Sequence, residues 1–193
     1  LIATGALPKQ PALNGGTLPG VFVLRSLKDA ERIRDWAGPG KTAVIVGGGL
    51  VGLKTAEGLK SKGLKVKVVV SSRRILSQIL DQEGADMLQH HLEDNGYQFL
   101  LGRDVQSVEG NGQVERVTLN NGESLSCNLV NYAKGVAPET GFLKDTGIKT
   151  NRGIFVDNWL QTNVSGVFAA GDVAETYDRL WKAQRVNALW GNA

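Results

Sequence analysis

The sequence predicts an α/β fold, a parallel sheet with helices on both faces and an inserted antiparallel β-meander. Three observations point there. Strand-like and helix-like segments alternate between Thr42 and Leu101. A glycine cluster joins the first of those strands to the helix after it. A run of short alternating segments joined by Asn-Gly pairs then follows. The order β-α-β-α-β makes the sheet parallel, with helices as crossovers.

The elements follow from local pattern. Residues 1–20 are rich in Pro and Gly and read as a short apolar strand end followed by a linker. Val21 to Leu24 reads as a short strand. In the next segment Leu27, Ala30, Ile33 and Ala37 recur at helical spacing, with Ser26 as N-cap and Asp29 in the capping-box place. The spacing predicts a strand over Thr42–Val46, a helix over Leu50–Lys62 closed by Gly63, and a strand over Lys65–Val70. A helix over Gln82–Asn95, ended by Gly96, and a strand over Tyr97–Leu101 complete the alternation. The pairs Asn111-Gly112 and Asn121-Gly122 favour the positive φ angles of tight hairpin turns, so 104–130 reads as the meander. Val130 to Ala133 then returns to the sheet. The tail holds two short apolar segments, at 154–156 and 167–171, and a final stretch without a clear pattern.

Composition excludes several classes. The 193 residues are 41% hydrophobic and 21% charged, which is ordinary for a globular chain and argues against disorder. A formal net charge of +3, with no Lys/Arg run interleaved with aromatics, does not make a nucleic-acid surface. The single cysteine, Cys127, excludes an intrachain disulfide and fits a reducing, cytoplasmic setting. The longest apolar run, Ala43 to Leu53, falls far short of the ~18 residues of a membrane span. The chain begins at Leu1 rather than Met and reads as part of a longer protein.

The glycine cluster carries chemistry. Gly47, Gly49 and Gly52 form G-x-G-x-x-G between a strand and a helix, the Rossmann-like context of a dinucleotide site. The first glycine allows the tight turn, the second admits a pyrophosphate to the backbone, and the third lets helix and strand approach. The helix start from Gly48 through Leu50 and Val51 would then offer N–H groups to phosphate. A glycine turn serving packing alone is the competing reading. The acidic residue expected about 20 positions on, for the ribose hydroxyls, has no counterpart after Val70; Ser71, Ser72, Arg73 and Arg74 stand there. Hydroxyls and guanidinium groups suit a 2′-phosphate at least as well as a free ribose, with NADPH slightly preferred over NADH. A merely solvated loop is the alternative.

Four stretches in order now resemble the pyridine nucleotide–disulfide oxidoreductase family of two-dinucleotide flavoproteins. The similarity is to its branch of NAD(P)H oxidases, rubredoxin-type reductases and nitrite-reductase flavin subunits. They are "LIATGA" (Leu1–Ala6), "VIVGGGLVG" (Val44–Gly52), "AKGVAPET" (Ala133–Thr140) and "TNVSGVFAAGDVAE" (Thr162–Glu175). "RVNALWGNA", Arg185–Ala193, is similar to the start of the helix after the last motif. The resemblance implies FAD and NAD(P)H as cofactors. It divides the chain into the end of a first FAD-domain segment with its linker (1–20), an NAD(P)H-binding domain (21–140) and part of a second FAD-domain segment (141–193). It places Asp172 on the FAD ribityl chain, Gly171 close to the flavin, and Thr4 and Gly5 nearby, with Gly135 on the NAD(P)H side.

The family's own FAD fingerprint is not in these residues, so half of the FAD site is lacking and tight FAD retention by this chain alone is not expected. Its redox cysteines would also lie upstream, and Cys127 reads as structural. Lys54 stands where the family often carries a glutamate near the nicotinamide; Glu57, close along the same helix, is a second candidate. His90 and His91 are adjacent on a helix and do not form a metal pair, and no metal site is expected. The function implied is hydride transfer from NAD(P)H to FAD and onward to an acceptor: oxygen, a disulfide, a rubredoxin-like protein or a nitrite-reducing centre. The resemblance also allows a homodimer. A non-catalytic dinucleotide-binding module is the alternative function.

Overall fold

β-Branched residues dominate the two segments Thr42–Val46 and Lys65–Val70, and these form the centre of the sheet in the computed structural model, which describes residues 1–187. The strands in chain order are β1 (Ala6–Pro8), β2 (Val21–Phe22), β3 (Thr42–Val46), β4 (Lys65–Val70), β5 (Gln98–Leu101), β6 (Val105–Glu109), β7 (Arg116–Leu119) and β8 (Ser124–Ser126). They continue with β9 (Leu129–Tyr132), β10 (Val136–Pro138), β11 (Ile154–Phe155), β12 (Ala174–Asp178) and β13 (Ala183–Arg185). The α-helices are α1 (Leu27–Trp36), α2 (Leu50–Ser61) and α3 (Gln82–Asp94). Among the described residues no helix is long and apolar enough to cross a membrane.

The chain divides into two compact units, residues 8–135 and residues 1–7 with 136 onward. In the first, a five-stranded sheet runs in the order β2-β9-β3-β4-β5, every pair parallel. Strand order reverses between β3 and β9: the chain moves outward from β3 through β4 to β5, then returns on the other side of β3. Such a reversal opens a crevice at the carboxyl ends of the strands.

The two faces of this sheet are covered differently. Ala43, Ile45, Val66, Val68, Val70 and Leu129 share one face with Ile33 and Trp36 of α1, Ala56 and Leu59 of α2, and Ala85 and Leu88 of α3. Val44, Val46, Val69 and Val130 point the other way, onto Val105, Val108, Val117, Leu119 and Leu125 of the meander β6-β7-β8. The expectation of helices on both faces is therefore corrected: all three helices lie on one face. The meander, with Leu13 and Leu18, already buries the apolar positions of the other. The arm 8–20 thus belongs to this unit; Val108 N–H donates to Asn14 O (2.8 Å) and Val114 N–H to Pro19 O (2.9 Å).

Caps fix the helix starts. Ser26 and Asp29 form the reciprocal capping box of α1, and Asp81 accepts from Gly84 N–H at the start of α3. Cys127 lies one residue beyond β8, buried in the meander core, with its N–H donated to Glu115 O. Burial pushes its thiol up to about 12, against a smaller opposing pull from the Lys67 ammonium.

The second unit has its own core of Leu143, Ile154, Val156, Ala169, Val173 and Ala174. Its sheet runs β11-β12-β13, and β1 pairs with β10. The similarity of Arg185–Ala193 to a helix start is corrected at Arg185, which lies in β13, antiparallel to β12. The Asp178 carboxylate accepts the N–H groups of Leu180 and Trp181 and so closes the hairpin, and the Arg185 guanidinium stacks 4.7 Å from the Trp181 ring centroid. Residues 188–193 of that stretch lie outside the described residues.

Candidate functional site: a glycine turn at the carboxyl edge of the sheet

The three fingerprint glycines occupy three different environments. Gly47, with φ +123°, leaves β3 by donating its N–H to Val69 O, and a Cβ there would run into the Ala133 carbonyl oxygen. Gly52 is buried on α2, and a Cβ there would run into the Gly47 carbonyl oxygen. Gly49 is the N-cap of α2, is exposed, and has no protein atom within 4 Å of where a Cβ would stand. The bare backbone at Gly47 and Gly52 is thus required by packing. At Gly49 it leaves open space in front of a helix start that no side chain caps. Leu53 N–H is the first to return along the helix, to Gly49 O (3.0 Å). The N–H groups of Leu50, Val51 and Gly52 therefore precede the first helical bond, where the helix carries partial positive charge. This open cradle fits a diphosphate.

Gly48 serves the scaffold. A Cβ there would meet the Val70 methyls at 2.8 and 3.0 Å, and its carbonyl accepts Leu76 N–H (2.8 Å). That bond folds the 71–80 loop onto the glycine turn. Within the loop, Ser71 and Arg73 are exposed, whereas Ser72 Oγ donates to Arg74 O (2.7 Å). Arg74 is half-buried and engaged, Nε with Leu80 O (3.2 Å) and a terminal nitrogen with Ser77 O (3.2 Å). Of the two guanidinium groups, Arg73 is the one turned to solvent.

The β9 exit lies beside this loop. Ala133 N–H donates to Val46 O, and exposed Gly135 accepts Lys9 N–H. Between them, half-buried Lys134 reaches Asp104 Oδ2 (2.6 Å) and Ser71 Oγ (3.2 Å). Asp104 Oδ1 accepts Val105 N–H (2.9 Å). Sequence reading missed Lys134 and Asp104, which are 30 residues apart and meet because Asp104 immediately precedes β6 of the meander that packs on the sheet beside β9. The available signal was position, since Lys134 lies two residues past the end of β9 and Asp104 directly before β6.

Lys54 and Glu57 are not aimed at this edge. They pair with each other on α2 at 2.7 Å, both largely exposed, and the Glu57 carboxylate raises the Lys54 ammonium above its usual range. They rim a groove of about 440 Å³ between α2 and α3, lined also by Leu53, Leu88, Leu92 and Tyr97. His91 lines the same groove. Among the described residues no three His, Cys, Asp or Glu side chains are grouped to hold a metal ion.

In the second unit, Ile2 bridges Ala169 in parallel, and Ala170 N–H donates to Ile2 O (3.0 Å). Thr4 and Gly5 therefore leave at the same end as Gly171 and Asp172. Thr4 Oγ1 donates to Glu139 O (3.1 Å), and Gly171, at φ +75°, opens a short 3-10 turn that holds Asp172 half-buried. Glu175, 1% exposed, accepts from Gly153 N–H (2.9 Å) and Asn151 Nδ2 (3.1 Å). It thereby holds the 151–153 loop against that turn, where a Cβ on Gly153 would meet Val173 O at 2.6 Å. A positive-φ glycine, an adjacent carboxylate and a second backbone segment at the same end fit one part of an extended, hydroxyl-bearing ligand such as FAD.

The comparisons agree with this geometry. The family model described as "Pyridine nucleotide-disulphide oxidoreductase" matches residues 1–191. The chain is 35% identical over 175 residues to the assimilatory nitrate reductase electron transfer subunit of Bacillus subtilis, covering 91% of this chain and 23% of that one. It is 29% identical to rubredoxin-NAD(+) reductase of Ectopseudomonas oleovorans, covering 94% and 47%. Among solved structures, a ferredoxin reductase from Rhodopseudomonas palustris superposes with a TM-score of 0.90 at 28% identity, over 96% of this chain and 46% of that one. The chain thus spans between about a quarter and half of the relatives it matches. Glycine turn, sheet order and full-length match together place the chain in the pyridine nucleotide-disulphide oxidoreductase family.

Proposed function

We propose that this chain is the NAD(P)H-binding part, with adjoining FAD-binding segments, of an FAD-dependent oxidoreductase that takes hydride from NAD(P)H and hands electrons to a separate acceptor. Residues 8–135 are the NAD(P)H-binding domain in this reading, in place of the 21–140 expected from sequence. The observation that carries it is the contrast among the glycines: a Cβ is excluded by protein at Gly47 and Gly52 and unopposed at Gly49. Packing explains the first two; the third leaves open space at the start of a helix, where a phosphate is held well by free N–H groups.

The residues have separate tasks. The backbone of Gly49–Gly52 binds the diphosphate, Ser71, Ser72 and Arg73 face the adenosine ribose, and the Gly135 backbone borders the nicotinamide half. Arg74 shapes the loop from within. Asp172 accepts hydrogen bonds from the FAD ribityl hydroxyls, with Gly171, Thr4 and Gly5 giving the backbone room. When bound, FAD supplies a two-electron acceptor for the nicotinamide's hydride; the chain's own work is holding and orienting. Relatives named for rubredoxin, for nitrate reduction and as NADH oxidase support a redox partner as the final acceptor. Calorimetric titration of the chain with NADPH and NADH tests the binding reading. Saturable binding of at least one is expected, and binding of neither would refute it.

A further inference from the structure

The hydrogen-bond chain at the β4 exit has a definite polarity. The Lys134 ammonium is a donor only, so Ser71 Oγ must accept from it, which leaves the Ser71 hydroxyl proton to be donated outward. Asp104, the carboxylate of this hydrogen-bond chain, has one oxygen on Val105 N–H and the other on Lys134. Lys134 Nζ is hydrogen-bonded to both Ser71 and Asp104; its side chain is 20% exposed and that of Asp104 41%, so Lys134 acts on an arriving group through the Ser71 hydroxyl. The exposed Arg73 guanidinium adds further donors on the same loop edge. Both Asp104 oxygens already accept from the protein, and the donors left at this edge are the Ser71 hydroxyl and the Arg73 guanidinium.

A ribose 2′-hydroxyl gains most from an acceptor at this place, and a 2′-phosphate, which is acceptor-only and doubly charged, gains from donors. We propose that Lys134, held by Asp104 and acting on Ser71, is a specificity-determining residue that selects the 2′-phosphorylated nucleotide, NADPH, over NADH. This inference rests on the NAD(P)H reading of the glycine turn. Lys134 follows β9, Ser71 follows β4 and Asp104 precedes β6, so cofactor choice depends on a residue outside the loop that follows β4.

The test is the ratio of NADPH to NADH affinity, measured by calorimetry on the 193-residue chain and its variants at one fixed ionic strength. Lys134→Met should lower the ratio at least about tenfold, the scale of one charge-assisted hydrogen bond, with NADH affinity within about twofold of the parent. Lys134→Arg should restore most of the ratio. Ser71→Ala, an exposed change that does not threaten folding, should lower it severalfold. The Ser71→Ala and Lys134→Met effects should fall short of additive when combined, because one residue acts partly through the other. A ratio unmoved in Ser71→Ala, or a parallel loss of both nucleotides in Lys134→Met, overturns the proposal and leaves Lys134 as a strap between strands. Failure of the parent chain to bind either nucleotide overturns the reading of the glycine turn itself.

Discussion

Replacing Gly49 by valine separates binding from folding. The backbone there is extended, φ −85° and ψ 179°, a region every residue adopts, and no protein atom lies within 4 Å of the new Cβ. The protein therefore loses only the modest preference of an N-cap for glycine over valine, about 1 kcal/mol. The ligand meets a branched side chain in front of the Leu50 and Val51 N–H groups. Loss of two charge-assisted hydrogen bonds at about 1.5–3 kcal/mol each amounts to roughly 3 kcal/mol or more, a hundredfold or greater weakening. Calorimetry with both nucleotides, alongside thermal unfolding followed by circular dichroism, reads both quantities. Gly52→Ala supplies the contrast, since its Cβ runs into the Gly47 carbonyl oxygen. Overpacking of that kind costs about 1–3 kcal/mol, so its midpoint should fall further than that of Gly49→Val. Unchanged nucleotide affinity in Gly49→Val would refute the reasoning, because the open space would then have no occupant.

Arg73→Ala should lower the NADPH-to-NADH affinity ratio with little change in thermal midpoint, whereas Arg74→Ala should destabilise by about 1–3 kcal/mol through its lost carbonyl partners; reversed outcomes would exchange their roles. Cys127 should be unreactive toward a thiol reagent at pH 8 until the chain unfolds, since burial pushes its thiol up to about 12. The folded state keeps this proton where the unfolded state, with the ordinary value of 9.0, releases it, so stability should fall as pH rises from about 9 to about 12. Cys127→Ala should flatten that part of the stability profile. Purified alone, the chain should not retain stoichiometric FAD, because Gly47–Gly52, the turn proposed for NAD(P)H, is the one glycine-rich strand-to-helix turn among the described residues; the flavin absorbance of the purified chain reads this directly.

Local pattern made much of the fold legible. The β3 and β4 boundaries, the starts of α2 and α3, the capping box at Ser26 and Asp29 and the meander all follow from residue types within a few positions of one another. What escaped was set by distant residues. The strand β3 is apolar on both faces from Ala43 to Val46, so nothing within it says which face takes helices; the meander decides it by covering Val44 and Val46, with Val69 of β4. Arg74 reads as a ligand cation until the loop closes and offers it the Ser77 and Leu80 carbonyls. Arg185 reads as the start of a helix, but the turn held by Asp178 sends it back along β12. The glycine turn was legible because its three positions are adjacent. The Lys134–Asp104 pair was not, because only the packing of the meander on the sheet brings those residues together.

The nucleotide site proposed for the carboxyl edge of the parallel sheet can be mapped by following backbone amide resonances of the isotope-labelled 193-residue chain during titration with NADPH. The largest shifts should fall on Gly47 to Gly52, on Ser71 to Arg73 and on Ala133 to Gly135, with the meander turns at Asn111 and Asn121 unmoved. Shifts confined to the groove between α2 and α3, or no saturable shifts at all, would contradict the placement of the site.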